Sequence, residues 1–105
     1  MRILFDQGTP VPLRRLLVGH QVSTAFEMNW NHLDNGALLA AAESSFDAMI
    51  TTDQNLRHQQ NLGGRSLAIL VLSTTSWPKI QAHSALVITG LDALRPGEII
   101  EVTFE

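Results

Sequence analysis

The chain has 105 residues, 45% of them hydrophobic and 16% charged, with a formal net charge of −3. That is one domain's length, with enough apolar material for a core that needs no staple, and without cysteine neither a disulfide framework nor a thiolate zinc site can form. No segment approaches the ~20 apolar residues of a membrane span, and the acidic balance counts against a broad electrostatic footprint for nucleic acid, although not against a metal-dependent nuclease.

Arg2 to Phe5 reads as the first strand, entered without a signal-peptide layout, so a cytoplasmic protein is expected. Thr9-Pro10 then reads as a helix start, with Thr9 as N-cap, Pro10 at the first helical position and Leu13, Leu16 and Leu17 as one apolar stripe. Gly19 suits the helix terminator at C′. His20 to Ala25 is the second strand, which makes a compact parallel crossover unit with the first. Phe26 to Leu33 is irregular. Asp34 opens a helix from Asn35 to about Ser45 that is apolar nearly all round and so expected to be heavily buried.

Strand three spans Ala48 to Thr52. A short polar helix or turn follows from Gln54 to Asn61, and Leu67 to Leu72 is a continuous apolar run suited to a fully buried strand. Ser76-Trp77-Pro78 begins the last helix, with Ile80, Val87, Leu91 and Leu94 on its buried face. Pro96-Gly97 is a turn, and Glu98 to Phe104 is a final strand at an edge. The pattern predicts one domain over residues 1–105, a three-layer α/β/α sandwich around a mostly parallel sheet.

Two aspartates stand just past buried strands: Asp6 after Ile3-Leu4-Phe5, and Asp53 after Met49-Ile50-Thr51-Thr52. In open α/β sheets ligands bind at the carboxyl ends of strands. Two carboxylates 4 Å apart there repel by about 4 kcal/mol at an effective dielectric of 20, which a bound cation would offset. Asp34, at a helix N-terminus, is the third candidate ligand, and three oxygen donors form a partial shell for Mg²⁺ or Mn²⁺. Asp34 also suits the N-cap and Asp53 a turn, and these structural roles are compatible with ligation. Asn55, Arg57, Ser73 and Thr74 are the candidate substrate contacts, with Arg14, Arg15 and Arg65 as further cations able to meet phosphate. Glu43 is a candidate fourth acid, His32 a proton carrier, and Trp30 either a base-stacking residue or a cover for the core.

These motifs together resemble the short bacterial PIN-like proteins, relatives of the VapC-type toxin ribonucleases. The resemblance covers residues 1–75. It rests on Ile3-Leu4-Phe5-Asp6 before a proline-started helix, Gly19-His20-Gln21-Val22, Leu33-Asp34, and Ile50-Thr51-Thr52-Asp53. It implies a PIN-like fold and a Mg²⁺- or Mn²⁺-dependent endoribonuclease with Asp6, Asp34 and Asp53 in the family's acidic positions. It further implies RNA as substrate and a small antitoxin-like DNA-binding protein as partner. Two departures are visible: Gln7 stands where glutamate is common, and Leu72-Ser73-Thr74-Thr75-Ser76 carries no acid after strand four.

Those departures keep a second expectation open, a catalytically inactive PIN-like protein that binds a protein partner or a second copy of itself. A third is a receiver-like phospho-acceptor domain with Asp53 as acceptor. It is weakened by Asp6-Gln7 in place of two acids and by Pro78-Lys79 in reversed order.

Overall fold

The fold was read from a computed structural model, which describes residues 1–56 and 65–104. Five strands, β1 (Arg2–Phe5), β2 (Gln21–Thr24), β3 (Ala48–Thr51), β4 (Ala68–Leu72) and β5 (Ile99–Val102), form one sheet in the order β2-β1-β3-β4-β5. All four pairings are parallel. The three inner strands are almost wholly buried and the edge strands are half-exposed. This is why β1, β3 and β4 are continuous apolar runs with no polar alternation.

Side chains alternate across the sheet, so each inner strand serves two cores. Ile3, Phe5, Ile50, Leu70 and Leu72 point into one, which contains Leu13 and Leu17 from the first connection and Ile80, Val87 and Leu91 from the last. Leu4, Met49, Ile69 and Val71 point into the other, with Leu38, Leu39 and Ala42 of helix α1 (Asn35–Glu43). Among the described residues no helix is long and apolar enough to cross a membrane.

The connections carry most of the departures from the sequence reading. Between β1 and β2 the chain forms a 3-10 helix, Val11–Leu16, with Pro10 rather than Thr9 at the cap position. Thr9 is buried, and its hydroxyl lies against Asp6 and the Ile50 carbonyl instead of a helix N–H. Gly19 does adopt a positive φ of 88°, but two residues beyond the C-cap Leu17. Asp34 caps α1 as expected, its Oδ1 accepting the Ala37 N–H at 2.8 Å. The helix ends at Glu43, and its Ala37 and Ala40 face outward, so it is less enclosed than its apolar composition suggests.

The expected last helix is two: α2 (Trp77–Ala82) and α3 (Ser84–Ala93). The His83 N–H closes onto the Ile80 carbonyl, a three-residue bond that tightens and ends α2. Ser76 caps α2 through Lys79 N–H, and β5 takes the edge as expected.

The faces used by these connections define the topology. The β1-to-β2 link moves outward over the first core, and α1 then carries the chain back over the second core to β3. These two crossovers share one hand. The β4-to-β5 link moves the other way across the first core's face, so it has the opposite hand to the first two. Parallel crossovers are right-handed in roughly 98% of cases, which makes the mixture an uncommon feature of this sheet.

Gly97 makes the final turn possible. Its φ is +77°, and a Cβ there would lie 2.7 Å from the Arg65 carbonyl oxygen, a backbone atom with no rotamer to escape into. Replacing Gly97 with Ala is expected to lower unfolding free energy by at least about 1–2 kcal/mol, measured by urea denaturation. Leu39→Ala, which empties the fully buried anchor of α1, is expected to lose about 2–5 kcal/mol in the same assay.

Candidate functional site

The chain leaves β1 toward β2 on one side and β3 toward β4 on the other, so the strand order reverses between these neighbours and a crevice opens between their carboxyl ends. Such a switch point is where open α/β sheets place their ligands. Asp6 follows β1 directly, and its N–H donates to the Ile50 carbonyl at 3.2 Å, extending the ladder by one bond. Thr51 ends β3, and Asp53 follows two residues later. The parallel register of β1 and β3 alone sets these residues side by side.

Asp6 is half-buried and held by hydroxyl groups. Thr9 Oγ1 donates to its Oδ1 at 2.8 Å, and Thr51 Oγ1 donates to its Oδ2. Burial raises the Asp6 carboxyl above its ordinary value, and the hydrogen bonds from Thr51, Thr9 and the loop backbone only partly oppose it. Thr9 has one hydroxyl proton and a second acceptor, the Ile50 carbonyl at 2.9 Å. It can therefore turn that proton away without leaving it unpaired. Gly8 lets the loop close onto β3, since a Cβ there would lie 2.4 Å from Thr52 Oγ1.

Thr51 joins the two acids. Its proton goes to Asp6, and its oxygen accepts the Asp53 N–H at 3.0 Å. Asp53 Oδ1 accepts the Asn55 N–H at 3.0 Å in a tight turn, and Oδ2 accepts Asn35 Nδ2 at 2.9 Å. A chain of hydrogen bonds thus runs from Asp6 through Thr51 and Asp53 to the first residue of α1. The residue of α1 that reaches Asp53 is Asn35, not the preceding Asp34. Among the described residues no group of three acidic or histidine side chains is assembled for a metal ion. Asp34 stands at the same rim with one oxygen committed to the helix cap.

The other candidates fall in several places. Ser73 and Thr74 follow β4 at this rim. Ser73 Oγ accepts the Phe104 N–H at 3.0 Å, and Thr74 Oγ1 accepts the Ser76 N–H at 3.1 Å, so both brace the chain around α2. Gln54 Nε2 donates to the Ser73 carbonyl at 3.0 Å and ties this loop to the one carrying Asp53. Asn55 contributes its backbone N–H, and its residue is exposed. Arg57 lies outside the described residues.

Arg65 and Glu43 belong to the opposite rim. Arg65 precedes β4 and pairs with Glu43 at 3.2 Å, while Glu43 also accepts the Ser66 N–H. Neither faces Asp6, because every strand runs the same way and the start of β4 lies about a strand's length along the sheet from the end of β1. Arg14 is paired with Glu27. Trp30 is half-buried and packs edge-to-face on Phe46, ring centres 6.0 Å apart, so it covers the second core.

By sequence Thr9 suits a helix cap and Asn35 carries no signal, while Thr51 and Thr52 could orient a water or a carboxylate, although β-branched strand residues usually need no such role. The one local signal was a hydroxyl residue three positions after Asp6, a spacing at which side chains often meet within a turn. Two concavities adjoin Asp6. One, about 120 Å³, lies toward α1 and is lined by Gln7, Asn31 and Asn35; the other, about 220 Å³, lies toward the 3-10 helix. Comparison with protein-family models, curated proteins and solved structures finds no match for this chain.

Asp6→Asn should test the electrostatic account. A carboxyl whose folded-state pKa is raised favours the fold fully below its unfolded value, and that contribution is lost as pH rises through the folded value. The amide keeps one acceptor oxygen, and the Thr9 proton has the Ile50 carbonyl to turn to. The substitution is therefore expected to raise the melting temperature at pH 7.5, on the order of a few degrees. Melts repeated down to pH 4.5 should show that gap narrowing.

Proposed function

We propose that this chain is a PIN-like, metal-dependent endoribonuclease, a three-layer α/β/α sandwich whose acids at the β1/β3 switch point bind a divalent cation and cut RNA. The carrying observation is the company Asp6 keeps. Among the described residues the ion pairs are Arg2–Asp47, Arg14–Glu27 and Arg65–Glu43, and none reaches Asp6 or Asp53. Asp6 is a carboxylate that burial penalises, held by two hydroxyls and paired with no basic side chain among the described residues, and a cation from solution would match it.

The chemistry of the donors suits a hard ion, since Asp6, Asp53 and Asp34 are carboxylates, the ligands Mg²⁺ and Mn²⁺ prefer, although the three are not gathered into one cluster among the described residues. Asp6 and Asp53 would hold it, with the second oxygen of Asp34 completing the protein's share. Such an ion, when bound, polarises a phosphate and lowers the pKa of an attacking water. Thr51 ties the Asp6 carboxylate to the backbone of Asp53, and Thr9 donates its proton to Asp6 Oδ1 when that carboxyl is charged. The family likeness further supports an antitoxin-like partner for the same protein.

A second reading, a catalytically inactive relative that binds another protein, is favoured by Gln7. It stands where the family commonly has an acid, and its amide donates to the Asn31 carbonyl. The two readings part over metal affinity.

Purified protein incubated with single-stranded RNA should cut it in Mn²⁺ and not in EDTA. Asp6→Asn and Asp53→Asn are each expected to lower the rate by about 100-fold or more, above the 10–100-fold typical of groups one shell further out. Cleavage that survives both substitutions, or persists in EDTA, sinks the nuclease reading. Asp34 separates its two roles by variant. Asparagine caps helices as well as aspartate, whereas alanine costs about 1 kcal/mol. Asp34→Asn should therefore lose activity with an unchanged melting temperature, and Asp34→Ala should lose both.

A further inference from the structure

We infer that the 220 Å³ concavity beside Asp6 is a subsite for one unpaired nucleobase, with Phe26 as its stacking platform, an inference that rests on the ribonuclease reading above. Its walls include Val11, Ala25 and Phe26, and Asp6, Gln7 and Thr9 line the side nearest the β1/β3 crevice. Phe26 is 76% exposed and Val11 53% exposed, while the neighbouring Ala25 is buried. An aromatic ring and a valine thus stand in water at the edge of the acidic site.

Phe26 is held there by a braced turn. The Glu27 carboxylate accepts the Thr24 N–H at 2.9 Å and is clamped by Arg14 at 3.1 Å, and Thr24 Oγ1 accepts the Glu27 N–H at 3.1 Å. Around Phe26 itself, Asn29 N–H donates to its carbonyl at 3.0 Å and Trp30 N–H donates to Ala25 at 2.8 Å. The backbone that presents the ring is therefore ordered before any ligand arrives, which lowers the entropic cost of binding.

The position selects the ligand. A phosphodiester drawn to a cation at Asp6 carries its base one sugar away. Of the two concavities within that reach, the one toward α1 also contains Trp30, Leu33 and Leu38 but is the more polar, and this one is the more apolar. Every base has a π-face that an aromatic ring can stack on, so the subsite tolerates different sequences but requires a base free of its pairing partner. Trp30, the aromatic that sequence suggests for this task, lines the smaller concavity, but it is half-buried and packs edge-to-face on Phe46 over the second core. Phe26 is free to take the role.

The test measures binding of a fluorescein-labelled single-stranded RNA by wild-type, Phe26→Ala, Phe26→Leu and Phe26→Trp proteins, in EDTA and in Mn²⁺, alongside cleavage. Phe26→Ala and Phe26→Leu are expected to bind about tenfold to a hundredfold more weakly, and Phe26→Trp to bind as wild type with its fluorescence quenched. Melting temperatures should stay unchanged, and duplex RNA of the same sequence should compete poorly. Leucine keeps an apolar side chain and removes the π-face, so a Phe26→Leu protein that binds normally overturns stacking. Wild-type affinity in Phe26→Ala, equal affinity for duplex, or no binding by wild type also overturns the subsite. Single strands bound through Phe26 but not cut in Mn²⁺ would support the subsite and sink the nuclease. Metal-dependent cleavage with an unchanged KM in Phe26→Ala would do the reverse.

Discussion

Every strand of this sheet runs the same way, so each connection must carry the chain back across a face, and both faces must be covered. The rest of the structure depends on that constraint. It requires apolar residues along the inner strands, where only the end positions Arg2 and Thr51 are polar, since odd and even positions serve separate cores. In this sheet the neighbours of β1 are also reached over opposite faces. The site is a by-product of this geometry, because the gap left where the connections diverge is where Asp6 and Asp53 emerge.

At that gap, local stability and chemistry pull in different directions. Burial disfavours a charged Asp6, yet Thr9 and Thr51 are arranged to hydrogen-bond it in the charged form. Gly8 allows the loop to press onto Thr52, and Asn35 ties Asp53 to α1. Phe26 follows the same logic on the apolar side, a large ring kept in water by a turn with several cross-links.

The mixed hand of the crossovers shows how far core composition can direct topology. The β4-to-β5 link lies over the same face as the first connection, where Val87 and Leu91 complete the core begun by Leu13 and Leu17. Gly90 allows this close approach, as a Cβ there would lie 2.9 Å from Leu70. The edge strand β5 is thereby fixed beneath α3.

Some of this was legible in the chain itself. The strands were, within a residue or two at each end, because buried parallel strands need unbroken apolar runs and little else. So were the Asp34 cap, which depends only on residues three positions apart, and the placing of Asp6 and Asp53 at strand ends. What the chain does not carry locally is which residues meet across β1 and β3. Thr9 faces Asp6 in place of a helix N–H, Thr51 joins the two acids, Asn35 reaches Asp53 from another element, and Arg65 sits at the far rim with Glu43. Likewise Trp30 went to the core and Phe26 to water. Sequence by itself determined the elements and the acids at their ends, since those follow from short-range periodicity and capping. Only the tertiary structure decided the partners, since a side chain's choice between backbone, carboxylate and core depends on what the parallel register and the return of each connection bring beside it.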